Sequence, residues 1–225
     1  MVLQSQNMGV SMDFSGPERT DFANVEALNR AFLLKLRSPA AGRRLRDRIP
    51  ETLRDAIEGL TDCQVNRLSA SPFLLLSLRE HNAEFWRELE ADSPVMDLFA
   101  TSGKCRDEIA VAAASFIWQL TRRNPYAARL VTGASPAWCE RLGEFTLLTL
   151  LERVATCRNL VRPRFADDVA CWRKLLGSGL SSEPRVRESA YLACLQTLVT
   201  KRLHGPPQRM RAAACASSTP VLSIT

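Results

Sequence analysis

Residues 27–89 read ALNRAFLLKLRSPAAGRRLRDRIPETLRDAIEGLTDCQVNRLSASPFLLLSLREHNAEFWREL, and residues 113–175 read AASFIWQLTRRNPYAARLVTGASPAWCERLGEFTLLTLLERVATCRNLVRPRFADDVACWRKL. Laid over one another without a gap, at a spacing of 86 residues, the two stretches share 13 identities in 63 positions. Average composition would give roughly 4. The rare residue types are the more telling: Pro39 matches Pro125, Pro50 matches Pro136 and Trp86 matches Trp172. Ser38 and Asn124 stand immediately before the first matched prolines. Both residue types cap helix N-termini well, and proline is preorganised for the first helical position. The expected fold is all-α: two tandem copies of one compact multi-helix module, followed by a C-terminal helix.

Working outward, the first copy is expected over residues 21–91. Val25, Leu28, Phe32 and Leu36 make a helical stripe over Asn24–Leu36. Short helices are expected over Pro39–Arg48, Glu51–Glu58 (stopped by Gly59) and Asp62–Ala70 (capped by Thr61). Ser71-Pro72 breaks the last of these. The run Phe73–Leu78 reads equally as strand or buried helix, because periodicity cannot separate them. Asn82 then caps a helix through Leu89. Residues 92–105 read as a linker, with Ser93-Pro94 and Ser102-Gly103 as its breakers. The second copy, 106–177, repeats the pattern as Asp107–Gln119, Pro125–Val131, Pro136–Leu142, Glu144–Thr156, an extended piece near Asn159–Pro163, and Ala166–Leu176. A C-terminal helix within 178–203 starts near Ser182 and Pro184, with Val186, Ala190, Leu195 and Leu198 as its stripe. Residues 1–20 and the Pro-, Ala- and Ser-rich stretch 204–225 are expected to be disordered.

Apolar residues make up 46% and charged residues 24% of the chain, enough to bury a core. The first 21 residues lack a basic region followed by an apolar one, and no apolar run is long enough for a bilayer, so a soluble cytoplasmic protein is expected. Seven cysteines stand at 63, 105, 139, 157, 171, 194 and 215, none as CxxC, and His81 and His204 are the only histidines. That spacing is unlike a zinc site and fits reduced thiols packed as small hydrophobes, so neither metal nor cofactor is expected.

No GxSxG elbow and no Gly-rich phosphate loop occurs; at Ser102-Gly103-Lys104 the position of the required earlier glycine is held by Leu98. The acidic pairs Asp167-Asp168 and Glu88/Glu90 do not share a helix face, and His81 has no nucleophile beside it. The chain is not expected to be an enzyme. Its formal charge of +6 is carried mainly by arginine. The densest feature is Arg43-Arg44-Leu45-Arg46-Asp47-Arg48, where Arg44 and Arg48 stack on one helical side with Arg43 beside them. The second copy keeps Arg129 and adds Arg122 and Arg123. These six arginines, 43, 44, 48, 122, 123 and 129, are the candidates for contact with phosphates or a partner. Ion pairing with Glu51, Asp55 and Glu58 accounts for the first cluster equally well.

Val25–Leu89 resembles the FlhD family, the small helical subunit of the bacterial flagellar master regulator of transcription. The likeness lies in Leu28-Asn29-Arg30-Ala31-Phe32-Leu33-Leu34, in Ala40-Ala41 and Arg43-Arg44-Leu45, and above all in Leu60-Thr61-Asp62-Cys63-Gln64-Val65-Asn66-Arg67-Leu68-Ser69-Ala70 with the Leu74-Leu75 and Leu78-Arg79 that follow. Members of the family are all-helical dimers that act on promoter DNA with a zinc-binding partner subunit. The resemblance implies a cytoplasmic transcription regulator working in a complex, either as an intramolecular pseudo-dimer or as a homodimer. The second copy departs from it, with Thr146-Leu147 and Leu150 in place of Leu60-Thr61 and Gln64. A helical adaptor that binds only proteins is the alternative.

Overall fold

The computed structural model describes residues 15–39, 43–91, 107–157 and 159–200. The linker expected at 92–105, the tail expected at 204–225 and residues 1–14 of the expected N-terminal stretch lie outside the described residues. The fold is all-α. The first half comprises α1 (Arg19–Arg37), α2 (Arg43–Arg46), α3 (Glu51–Glu58), α4 (Asp62–Ser69), β1 (Leu76–Ser77) and α5 (Ala83–Ala91). The second comprises α6 (Glu108–Arg123), α7 (Pro125–Thr132), α8 (Pro136–Glu144), α9 (Leu147–Thr156), β2 (Arg162–Pro163) and α10 (Val169–Leu176). A 3-10 turn (Ser178–Leu180) and α11 (Pro184–Thr200) complete it.

Local chemistry sets most helix starts. The side chains of Asp107, Asn124, Ser135, Thr146 and Asp168 each accept a backbone N–H of the first turn, as Thr61 does in a reciprocal box with Gln64. Pro125 and Pro136 occupy first helical positions. Several boundaries differ from the sequence reading. Structure begins before residue 21, because the Asp21 carboxylate accepts the Glu18 N–H at 2.8 Å and opens α1 at Arg19. Ser38 is the C-cap of α1, its N–H donating to Leu34 and Lys35. The helix expected over Pro39–Arg48 is described only at Arg43–Arg46, with 40–42 outside the described residues. Glu144 ends α8, since Thr146 caps a separate α9. At α11 it is Glu183, not Ser182, whose carbonyl accepts the first helical N–H, and the stripe is Ala190, Tyr191, Cys194 and Leu198, with Val186 exposed.

Each element of the first half has a counterpart near 86 residues further on: α1 and α6 end at Arg37 and Arg123, α3 and α8 at Glu58 and Glu144, and β1 and β2 begin at Leu76 and Arg162. Two residues just past the strands adopt left-handed backbone without being glycine, Arg79 (φ 58°) and Phe165 (φ 56°), again 86 apart. The strands pair antiparallel with Leu76 opposite Pro163 and Ser77 opposite Arg162. Each position therefore faces the counterpart of its neighbour, which is the register a two-fold rotation produces. Helices α1 and α6 pack antiparallel: Asp21 pairs with Arg123 at one end, and Lys35 with Asp107 (2.8 Å) at the other.

The halves exchange their last helices. Helix α5 lies on α8, where Trp86 meets Trp138 edge to face at 5.3 Å, while α10 lies on α3. Trp86 and Trp172 are both buried, among the largest fully buried side chains. The apolar run Phe73-Leu74-Leu75-Leu76 is buried at every position, so it carries no alternation to read. It is not helical: bends at Phe73 and Leu75 lead into β1, and Leu74 N–H donates to Val131 and Arg164 N–H to Leu75, tying the halves together. Beneath it the Asn29 side chain is wholly buried, donating to Ser69, Ser71 and Phe73 and accepting the Leu75 N–H. The C-terminal extension covers α4, where Arg67 donates to the Leu180 carbonyl and the Tyr191 hydroxyl donates to the Arg67 carbonyl. Gly179 permits this approach, since a Cβ there would stand 3.3 Å from the Tyr191 ring.

Candidate functional site

The chain segments that follow β1 and β2 meet between the halves, and a groove of about 1050 Å³ opens beside them. Arg48, Arg79 and Arg87 from the first half and Arg162 from the second line it, and α11 borders it through Thr197 and Leu198. Its floor holds a buried ion pair. Arg164 Nη1 donates to Glu80 Oε1 at 2.7 Å, and both side chains are almost fully shielded. The same guanidinium donates to the carbonyls of Leu74, Leu76 and Thr132, so Arg164 knits the crossing strands together. Its own carbonyl accepts the Trp172 indole N–H at 2.8 Å.

Burial pushes the Glu80 carboxyl up, but Arg164, His81 and the Ser77 hydroxyl together outweigh it and bring the pKa down to about 2. A carboxylate held so low is a poor proton acceptor near neutral pH. Arg162 stands in the opposite situation. Burial lowers its proton affinity first, and the neighbouring Arg48 and Arg79 lower it further, against a smaller opposing effect of Asp167. Arg79 places its guanidinium 3.9 Å over the Phe85 ring. The Nε atoms of Arg79 and Arg162 are both shielded from solvent without a hydrogen-bond partner among the described residues.

The six candidate arginines do not converge. Arg44 and Arg48 border a shallow hollow with Asp47 and Asn159, and Arg48 reaches the groove as well. Arg43 is exposed on the same short helix. In the second half Arg122 lies 5.2 Å over the Trp118 ring, Arg123 is paired with Asp21 and Glu18, and Arg129 is exposed on α7; none of these three lines the groove. The ion pairing weighed for the first cluster is made by Arg46, whose guanidinium meets Glu58 at 2.7 Å and donates to the carbonyls of Leu36, Ser38 and Pro39. Nothing in their local sequence singles out Arg79, Arg87, Arg162 or the Glu80–Arg164 pair. Arg164 and Leu78 stand 86 residues apart, at aligned places in the two halves, and a charge aligned with a core leucine is the one available signal.

Among the described residues no group of three His, Cys, Asp or Glu side chains could hold a metal ion, and no helix is long and apolar enough to cross a membrane. Compared with protein-family models, curated proteins and solved structures, the chain matches none.

Proposed function

We propose that this chain is a single-chain counterpart of an FlhD-type dimer, and that it regulates transcription with a partner protein on DNA. The observation that carries the reading is the register of β1 and β2, in which each strand faces the counterpart of its neighbour. The antiparallel α1–α6 pair and the exchanged helices α5 and α10 support it, because two subunits of one module would interlock in the same way. The resemblance of Leu60–Ala70 to the family then supplies the activity, and Arg43, Arg44 and Arg48 supply cations for phosphate contact. The test is immunoprecipitation of the tagged full chain from the cells that produce it, followed by sequencing of the DNA recovered. Enrichment at discrete promoters, lost at raised salt, is expected. Recovery no higher than from an untagged control would refute the regulator.

A protein-only adaptor is the second reading. It is favoured by the engagement of Arg123 in ion pairs and by two outward leucines, Leu148 (60% exposed) and Leu192 (62% exposed). Salt-insensitive capture of a protein without DNA would select it.

A further inference from the structure

The groove breaks the two-fold relation between the halves. Counterparts of Arg48, Arg79 and Arg162, 86 residues away, are the uncharged Ala134, Phe165 and Leu76, so these three cations have no equivalents in the opposite half, whereas Arg87 matches Arg173. Two features mark the gathering as more than a solvated surface. Arg48 and Arg79 both act on Arg162 as repelling neighbours. The shielded Nε donors of Arg79 and Arg162 have no acceptor among the described residues, an arrangement folded proteins seldom leave in place without a ligand or water.

The neighbouring guanidiniums of Arg48, Arg79 and Arg162 favour an anionic group, and the lining restricts which. Glu84, Asp167 and Asp168 stand on the same walls, so a continuous run of phosphates such as duplex DNA would meet repulsion there. They suit hydroxyl or amino donors instead. The volume is that of a small-molecule site. A phosphate brings nearly two charges and three acceptor oxygens, enough to meet two guanidiniums at once, where a monocarboxylate brings one charge and two oxygens. We propose that the groove binds one compact phosphorylated small molecule per chain, its phosphate against Arg79 and Arg162 and its hydroxyl or amino groups toward Glu84 and Asp167. The inference is independent of whether the chain acts on DNA.

The experiment is calorimetric titration of the full chain with ribose 5-phosphate, with inorganic phosphate, with potassium chloride at matched ionic strength and with a short DNA duplex. Saturable binding of ribose 5-phosphate at one site, tighter than inorganic phosphate and weakened about tenfold by Arg162→Gln and by Arg87→Gln, is the expected result. Thermal unfolding without ligand separates this from a structural role: Arg162→Gln should unfold no lower than the wild type, because it removes a repelled cation. Should Arg162→Gln prove unstable, Arg87→Gln alone carries the binding comparison. A response to ribose 5-phosphate no larger than to chloride, an affinity unchanged in the variants, or binding of the duplex alone would overturn the proposal.

Discussion

Replacing Glu80 with glutamine probes the groove floor with almost no change of shape. Glu80 Oε2 accepts the Ser77 hydroxyl at 2.7 Å and Oε1 accepts Arg164, so the amide keeps part of the hydrogen bonding while removing the charge. The Arg164 cation would then remain buried without its counterion, a change that usually costs about 3–5 kcal/mol. Linkage gives a second route to the figure. Lowering a carboxyl from 4.5 to about 2 corresponds to about 3 kcal/mol. The folded pKa lies below the unfolded one, so this stability is present above about pH 5 and is lost as pH falls toward about 2. Because Arg164 retains carbonyl acceptors, the lower figure applies, and at about 2–4 °C per kcal/mol the melting temperature should fall by about 6–12 °C at pH 7. Calorimetric unfolding of wild type and Glu80→Gln between pH 7 and pH 2 reads this directly. The gap should narrow on acidification, since the wild type loses what the variant never had. A variant within about 0.5 kcal/mol of wild type at pH 7, or a gap that does not change with pH, would refute the reasoning.

The two matched tryptophans, Trp86 and Trp172, should respond unequally to a milder change. Trp172 Nε1 donates to Arg164, whereas Trp86 Nε1 is buried without a partner among the described residues, so Trp172→Phe should cost about 1 kcal/mol more than Trp86→Phe in urea unfolding. Truncation of either to alanine should cost roughly 3–5 kcal/mol, and a surface-like loss at one of them would remove it from the core. Thiol labelling followed by peptide mapping at pH 8 should modify exposed Cys63 well before Cys139, Cys171 and Cys194, whose thiols burial pushes up, Cys139 to about 11 and Cys194 to about 12. Simultaneous labelling would show that the folded chain opens readily.

Helix starts are legible in the sequence because their signals are local. Asn124 before Pro125, Thr61 before Asp62 and Asn82 before Ala83 each satisfy backbone donors within their own turn, and no distant contact is needed to read them. The strands are not, because Phe73–Leu76 is apolar throughout and its hydrogen bonds go to Val131 and Arg164 of the other half. The same distance hides the site. Glu80 and Arg164 are 84 positions apart, and the residues aligned with them at a spacing of 86 are Ala166 and Leu78, so the alignment of the two halves conceals the pair. Of the groove arginines, Arg48 is visible through its local cluster. Arg79 and Arg162 meet it only because the strands cross, which is a property of tertiary structure and not of spacing.

The crossing itself can be trapped. Ser77 and Arg162 face each other in the β1–β2 ladder, and facing positions of an antiparallel pair lie within disulfide reach. The full chain carrying Ser77→Cys and Arg162→Cys, mildly oxidised, should yield a disulfide-linked peptide joining positions 77 and 162, in a product that migrates as one chain under non-reducing conditions. A bond that joins two chains, or a failure of the engineered pair to link at all, would contradict the fold within a single polypeptide on which the proposed function rests.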